Sequence, residues 1–435
     1  MNEGSTMKIF FRLAPPVMLG LLIQSFYNIA DSFFVARYSE NALTALSIIY
    51  PLQLLLNALA NGTSIGINTL ISRFMGMGVH GRIKNAVKTG FVILAVSYVV
   101  FAAAMAVSLK SFFHMSTDVS ETIRCGTEYG YIIFIFSFVV FAEAGFTKLL
   151  QAKGDMVRPM AAQIVGALVN IALDPVLIFV LGLGVKGAAI ATVTGQSCTM
   201  LVMLPKVLRE FDFNGSFSAK TVKEIYTAAV PQIILQSLYT VYIMGLNLIL
   251  VGFSESAVTV LGIYYKLQTF TFIPISGLMQ VLVPIVSYNY GAGNKERMYE
   301  ILRLSIIFTA SLSFLATLIF LAIPVQLSAI FSKSAEVWGI AKSGLRIIGT
   351  SFVPCAVVFM IMTFLQASDD GIKSIVLAVL RQLFLLVPLA YIFSRFGLVY
   401  TWLTFPVTET TVMITAIFMY RMAKKRIEKK FAAKA

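Results

Sequence analysis

Charge is scarce in this chain. Only 12% of its 435 residues are Asp, Glu, Lys or Arg, 58% are hydrophobic, and the mean hydropathy is +0.85. A soluble fold of this length needs about twice that charge to cover its surface, so a soluble protein is excluded. Reactive side chains are scarcer still. The two histidines, His80 and His114, fall in predicted loops. The three cysteines, Cys125, Cys198 and Cys355, lie far apart with no paired spacing, which suggests neither a disulfide framework nor a zinc site. No histidine sits inside an apolar run, so no carboxylate–histidine or Cys–His arrangement is at hand, and a membrane-embedded enzyme is set aside. Alternating strand patterns are missing too. The first apolar run is full length and its flank has no small-residue cleavage site, so it is expected to stay in the membrane.

What the chain does have is long apolar runs, each near the ~20 residues that span a bilayer. Twelve are read, at 13–36, 43–71, 87–109, 129–150, 160–181, 187–208, 225–251, 258–287, 303–324, 343–366, 373–394 and 399–422. Each must satisfy its own backbone hydrogen bonds, so the fold class expected is all-α and polytopic. The net charge of +14 invites a nucleic-acid reading, but its distribution argues for a membrane instead. With the N-terminus inside, the cytoplasmic segments hold 25 Lys and Arg, counting Lys148 and Arg381 among them, and the opposite side holds 8. Lys266 is left within a span. That bias puts both termini in the cytoplasm, with the tail KKRIEKK facing lipid headgroups.

The twelve runs are also a repeat. Laid on itself at an offset of 215, the chain puts Pro16 on Pro231, Tyr50 on Tyr265, Gln53 on Gln268 and Gly62 on Gly277. Gly76 and Gly78 fall on Gly291 and Gly293, and Leu150-Gln151-Ala152 on Leu365-Gln366-Ala367. Six spans in each half give repeats of the same orientation, related by an axis along the membrane normal. The expected division is 1–208 as N-lobe, 209–224 as cytoplasmic linker, 225–422 as C-lobe and 423–435 as basic tail. The RFMGMG and YNYGAG turns read as helix stops whose glycines supply positive φ. Pro15, Pro16 and Pro231 are either first-turn residues or hinges.

Inside spans, ionisable residues cost about 2.5–3.5 kcal/mol each on insertion scales, so each is a functional candidate. Four acids qualify: Asp31, Glu143, Asp174 and Glu409. Tyr27 and Asn28 precede Asp31 at helical spacing. Gln163, Asn170 and Asp174 form one stripe of span five, Thr192 adds a hydroxyl from span six, and span two carries Gln53, Asn57, Asn61, Ser64 and Asn68. Carboxylates with neutral oxygens suit Na⁺ or H⁺, because an apolar site disfavours the bare charge. The competing reading is structural pairing across helices. Glu143 is near enough to a helix end to snorkel, and Glu409 is expected either to pair with Lys266 or to line the pathway. Tyr239, Tyr242, Phe272, Met279, Gln280 and Met360 give the C-lobe an aromatic and Met-rich lining suited to lipophilic cations, or simply a packed core.

At this point the chain resembles the multidrug and toxic compound extrusion (MATE) family of secondary transporters. The likeness is carried by YNIADSFFVAR at 27–37, SRFMGMG at 72–78, QAKGDMVRP at 151–159 and NIALDPVLI at 170–178. It implies a V-shaped pair of six-helix bundles that exports lipophilic or cationic drugs or toxic metabolites, driven by inward H⁺ or Na⁺, with no cofactor. It further implies that Asp31, Asn170 and Asp174, with Thr192, form the N-lobe cation site. The helix-seven acid of some members is missing: Leu246 and Leu389 stand where the repeat puts Asp31 and Asp174. The partners expected are small organic cations and membrane lipid, not nucleic acid, with one chain as the working unit in a bacterial-type plasma membrane. The rival is a flippase for a lipid-linked saccharide or similar amphiphile. It is disfavoured here because Lys266 is read as the one buried cation.

Overall fold

The computed structural model describes residues 6–432, apart from the side chains of Thr6 and Thr240. Every element named below is helical. Spans one to three are α1 (Thr6–Tyr38), α2 (Glu40–Met77) and α3 (His80–Ser116). Span four is a bent pair, α4 (Ser120–Ile135) and α5 (Phe138–Ala152). Span five is α6 (Val157–Pro175) continued by a π-helical segment, Val176–Val180, and span six is α7 (Val185–Glu210). Spans seven to nine are α8 (Ala219–Val251), α9 (Glu255–Ala292) and α10 (Lys295–Ala322), followed by the short α11 (Pro324–Ala329). Span ten is a second bent pair, α12 (Ala335–Gly349) and α13 (Phe352–Ala367). Span eleven is α14 (Gly371–Val379), a π-helical segment Leu380–Leu386 and α15 (Val387–Ser394); span twelve is α16 (Leu398–Trp402) and α17 (Thr404–Ala432). Among the described residues ten helices are long and apolar enough to cross a membrane, and counting each bent pair as one span brings the total to the expected twelve.

The sequence did not announce the bends of 46° and 43° in spans four and ten. Both lie at a buried serine whose hydroxyl turns back on its own helix. Ser137 Oγ donates to the Phe134 carbonyl at 2.8 Å, and Ser351 Oγ to the Ile348 carbonyl at 2.6 Å. A side-chain donor on a main-chain carbonyl competes with the helical ladder, which is a recognised cause of kinks. The glycine stops behave as read. Gly78 and Gly293 end α2 and α9 at φ 70° and 79°, while Gly76 and Gly291 stay inside their helices. Gly78→Ala and Gly293→Ala should each cost about 1 kcal/mol, read by thermal unfolding in detergent.

The chain divides into two compact units within three residues of Pro16 and Pro231, the prolines related by the repeat. One runs from Pro15 to Ile233; the other starts at Ile234 and takes in the chain up to Ala14. The first part of α8 therefore belongs with the N-lobe. Gly66 explains the fit, since a Cβ there would stand 2.5 Å from the Ile225 carbonyl oxygen, and Gly62 is as close to Ile233. None of the three prolines is a first-turn residue: Pro15, Pro16 and Pro231 all lie inside their helices.

The linker is strapped to the N-lobe rather than loose. Arg82 Nη2 meets Glu224 at 2.8 Å, the Ser216 N–H donates to Asn85 Oδ1 at 2.8 Å, and the Lys84 ammonium beside Asp212 holds that carboxyl below the usual range. In the C-lobe, the basic tail is a docked continuation of α17. Ala423 and Ile427 are buried, Arg426 Nη2 donates to the Asp369 carbonyl at 2.9 Å, and Lys430 Nζ donates to Tyr290 Oη at 2.7 Å. Lys425 and Lys429 remain exposed on the other face.

Candidate functional site

In the N-lobe, spans five and six are brought together by glycine. A Cβ on Gly166 would stand 2.6 Å from the Gly195 carbonyl oxygen, and one on Gly195 would stand 2.7 Å from the Gly166 carbonyl oxygen and 3.0 Å from Asn170 Cβ. Only backbone fits there. The crossing holds Asn170, and one turn later Asp174, against α7. The helix then changes character: Pro175 has no N–H to donate, and the chain runs straight into the π-helical turn Val176–Val180. Gly195→Val should force α6 and α7 apart at a cost of about 1–3 kcal/mol and lower efflux about tenfold, measured on reconstituted protein.

Asp174 is fully buried and Asn170 is 2% exposed, while Asp31 and Thr192 are half-buried. Their polar atoms share one property. Asp31 Oδ1, both oxygens of Asp174, both polar atoms of the Asn170 amide and Thr192 Oγ1 are buried without a hydrogen-bond partner. Buried polar groups in folded proteins are nearly always paired, so an orphaned set on neighbouring helices is unusual. The two carboxylates interact electrostatically with each other. A hard cation or a proton is what such oxygens lack. The donor set is two carboxylates with neutral oxygens, and among the described residues no group of three or more acidic, His or Cys side chains could hold a metal ion.

Around this core the outcome is mixed. Tyr27 is half-buried and interacts with both Asp31 and Glu143, so Glu143 faces span one and does not reach for the membrane surface. Gln163 is close to span one as well, with its Oε1 2.5 Å from where a Cβ of Gly20 would be. Asn28 and Asn57 are exposed, and Asn61 is half-buried. The polar stripe of span two splits in function. Gln53 Nε2 donates to Tyr129 Oη at 3.3 Å, whereas Asn68 donates its amide to the Lys148 carbonyl at 2.7 Å, deep in the packed interior. Tyr129 went unread in the sequence. It is 3% exposed, interacts with Asp31 and Tyr27, and approaches Thr192. Its place at the start of an apolar run, where tyrosine is commonplace, hid it.

The C-lobe corrects three expectations. Glu409 pairs with Arg381, not Lys266: Arg381 Nε and Nη2 stand 2.8 Å and 2.6 Å from Glu409 Oε1. Lys266 is exposed, with its ammonium 5.5 Å from the Phe331 ring centroid. Among the described residues the buried cations are Arg381 and Lys148, each 4% exposed, so neither is a surface cation. Lys148 donates to Gln151 Oε1 at 2.8 Å. Arg381 falls eight residues inside the run read as 373–394, and that position was the available signal. The bias of positive charge survives removal of both. Of the residues read as either a cavity lining or a packed core, Tyr242 and Met360 are core, 2% and 0% exposed, and Tyr242 packs edge-on to Tyr239 at 5.3 Å. Tyr239, Phe272, Met279 and Gln280 are half-buried.

Comparison with known proteins follows the same two-part plan. The MatE family model matches twice, at residues 16–176 and 231–392, in register with the repeat. The multidrug export protein MepA of Staphylococcus saprophyticus is 26% identical, covering 98% of this chain and 96% of its own. A protein of Shewanella oneidensis named FAD transporter is 23% identical over 97% of this chain and 95% of its own. Among solved structures, a MOP superfamily transporter from Pyrococcus furiosus superposes with a TM-score of 0.92 at 25% identity, covering 98% of this chain and 97% of that one. An outward-facing multidrug resistance MATE transporter gives the same TM-score at 24% identity and the same coverage. Two family domains in one twelve-span, all-helical chain make this protein a member of the MatE family of multidrug and toxic compound extrusion transporters.

Proposed function

We propose that this chain is a cation-coupled antiporter that exports lipophilic organic cations in exchange for inward H⁺ or Na⁺. The observation that carries the reading is the orphaned set on Asp31, Asn170, Asp174 and Thr192. A cation or proton arriving there supplies partners for the oxygens of the set, and its departure restores the cost of leaving them unmet. Such an ion can drive a change of state only by binding one state better than the other. Pro15 and Pro16, at the edge of the N-lobe unit and inside α1, are where α1 can change its bend as Asp31 is occupied. Coupling stays in the N-lobe, because the C-lobe acid is already neutralised by Arg381. That neutralisation also weighs against the amphiphile flippase, which needs uncompensated positive charge to hold a phosphate. The charge bias supports an orientation with both termini cytoplasmic, and the reading sets the chain in a bacterial-type plasma membrane.

The test is ethidium efflux from proteoliposomes with a Na⁺ gradient and a pH gradient imposed separately, for wild type and Asp31→Asn. Efflux by wild type under one gradient, lost in Asp31→Asn, supports the reading and names the ion. Unchanged efflux in Asp31→Asn overturns the site. No ethidium movement under either gradient overturns the exported class.

A further inference from the structure

One helix crossing is built in two different ways in the two lobes. At the 215-residue offset, Gly166 corresponds to Arg381 and Thr194 to Glu409. Where spans five and six meet glycine on carbonyl, spans eleven and twelve meet through a buried charge pair, 4% and 2% exposed. Arg381 is the eleventh residue of the 24-residue span Gly371–Ser394, so the pair sits near mid-membrane. A glycine crossing has one dry, close arrangement. An ion pair there is a costly way to join two helices, unless its ends have work to do when they part.

The surroundings show how parting is accommodated. Arg381 Nη2 stands 3.7 Å from Cys355 Sγ on span ten, and the guanidinium carbon 5.1 Å from the Phe359 ring centroid. The guanidinium Nε and Nη2 both bond one carboxylate oxygen of Glu409, Oε1, and its Oε2 is buried with no partner. The neighbouring Thr408 hydroxyl is equally unpartnered, while Tyr265 lies against Tyr242 and in electrostatic contact with Arg381. Arg381 is also the second residue of the π-helical segment Leu380–Leu386. The next side chain, Gln382, donates Nε2 to the Leu235 carbonyl at 3.3 Å on span seven, four residues after Pro231. Two consecutive residues of a widened turn thus tie span eleven to span twelve and to span seven. π-turns of this kind recur at sites that move.

We propose that Arg381 and Glu409 are positioning residues for transport, forming a clasp on spans seven, eleven and twelve that re-pairs as the C-lobe changes state. The proposal rests on the alternating-access reading above. The N-lobe crossing stays shut and presents the cation site, while the C-lobe crossing opens and resets. Neither residue touches the transported molecule; they act through the helices they hold.

Cys355 is a natural reporter. With Cys125 and Cys198 replaced by alanine, its alkylation by N-ethylmaleimide is timed in proteoliposomes at rest and during gradient-driven ethidium efflux. Labelling about tenfold faster during turnover is expected, because opening the clasp uncovers the thiol. The apolar pair Arg381→Met with Glu409→Met removes both charges and keeps the packing. It is expected to reach the membrane folded, with efflux down about tenfold. The swap of Arg381→Glu with Glu409→Arg should recover part of that efflux. Equal Cys355 labelling at rest and in turnover overturns the clasp, as does wild-type efflux by the apolar pair. If wild type moves no ethidium, the antiport reading fails separately. The clasp is then judged by Cys355 labelling under the imposed gradients alone, where a rise supports it and no change overturns it.

Discussion

Asp174→Asn is expected to abolish coupled efflux and at the same time leave the protein more stable than wild type. Asp174 is fully buried and both its carboxylate oxygens lack a partner. Holding an uncompensated carboxylate away from water costs several kcal/mol, and an amide of the same shape costs far less. Removing the charge should therefore raise stability by about 1–3 kcal/mol, seen as a shift of a few degrees in thermal unfolding. Efflux should fall by about 100-fold or more, because an amide neither releases a proton nor supplies the charge that holds a cation. The two readouts move in opposite directions only if the acid serves the transport cycle. Were Asp174 a packing residue, the same substitution would lower the melting temperature and leave efflux near normal. Asp31→Asn should repeat the pattern with a smaller gain in stability, since Asp31 is only half-buried.

That site was legible in the sequence because its chemistry is exceptional there. A carboxylate in an apolar run has few reasons to exist, and the spacing of Gln163, Asn170 and Asp174 already put three oxygens on one helical stripe. The repeat was legible for a different reason: Gly78 and Gly293 are fixed by backbone geometry, so their register survived where side chains drifted. What stayed hidden depends on partners distant in sequence. Ser137 and Ser351 are unremarkable serines until their hydroxyls turn back on the helix and bend it. The tail KKRIEKK reads only as a basic segment facing lipid headgroups, and nothing in it announces that Arg426 and Lys430 bond Asp369 and Tyr290. The lobe boundary moved into α8 because Gly62 and Gly66 admit Ile233 and Ile225, a fit no composition shift marks. Arg381 was missed for a sharper reason. Its charge counts toward the cytoplasmic bias although it lies within the run 373–394, and that leaves Lys266, 143 residues from Glu409, as the one cation inside a span for the acid to pair with, when Arg381 is only 28 residues away.

Arg381→Met alone should be the most damaging single substitution to stability in the C-lobe, and adding Glu409→Met should undo most of that damage. Breaking a buried pair from one side leaves a charge without compensation, which costs about 3–5 kcal/mol in folded proteins. Replacing both members with apolar groups of similar size is often neutral or better, within about 1 kcal/mol here. Arg381 packs its guanidinium on Phe359 and reaches Cys355, so methionine, flexible and polarizable, is the substitution that best keeps those contacts. The single change strands Glu409, whose second oxygen is already unpartnered, with no cation beside it. Denaturant or thermal unfolding of the two single variants and the double in one detergent reads the difference directly. A double variant as unstable as the sum of the singles would mean that each residue contributes by its own packing. Recovery in the double, with efflux still lost, separates the two roles of the pair. It would show that the charges are dispensable for holding the lobe together and are kept for the transition that the N-lobe, with glycine at the same crossing, does not make.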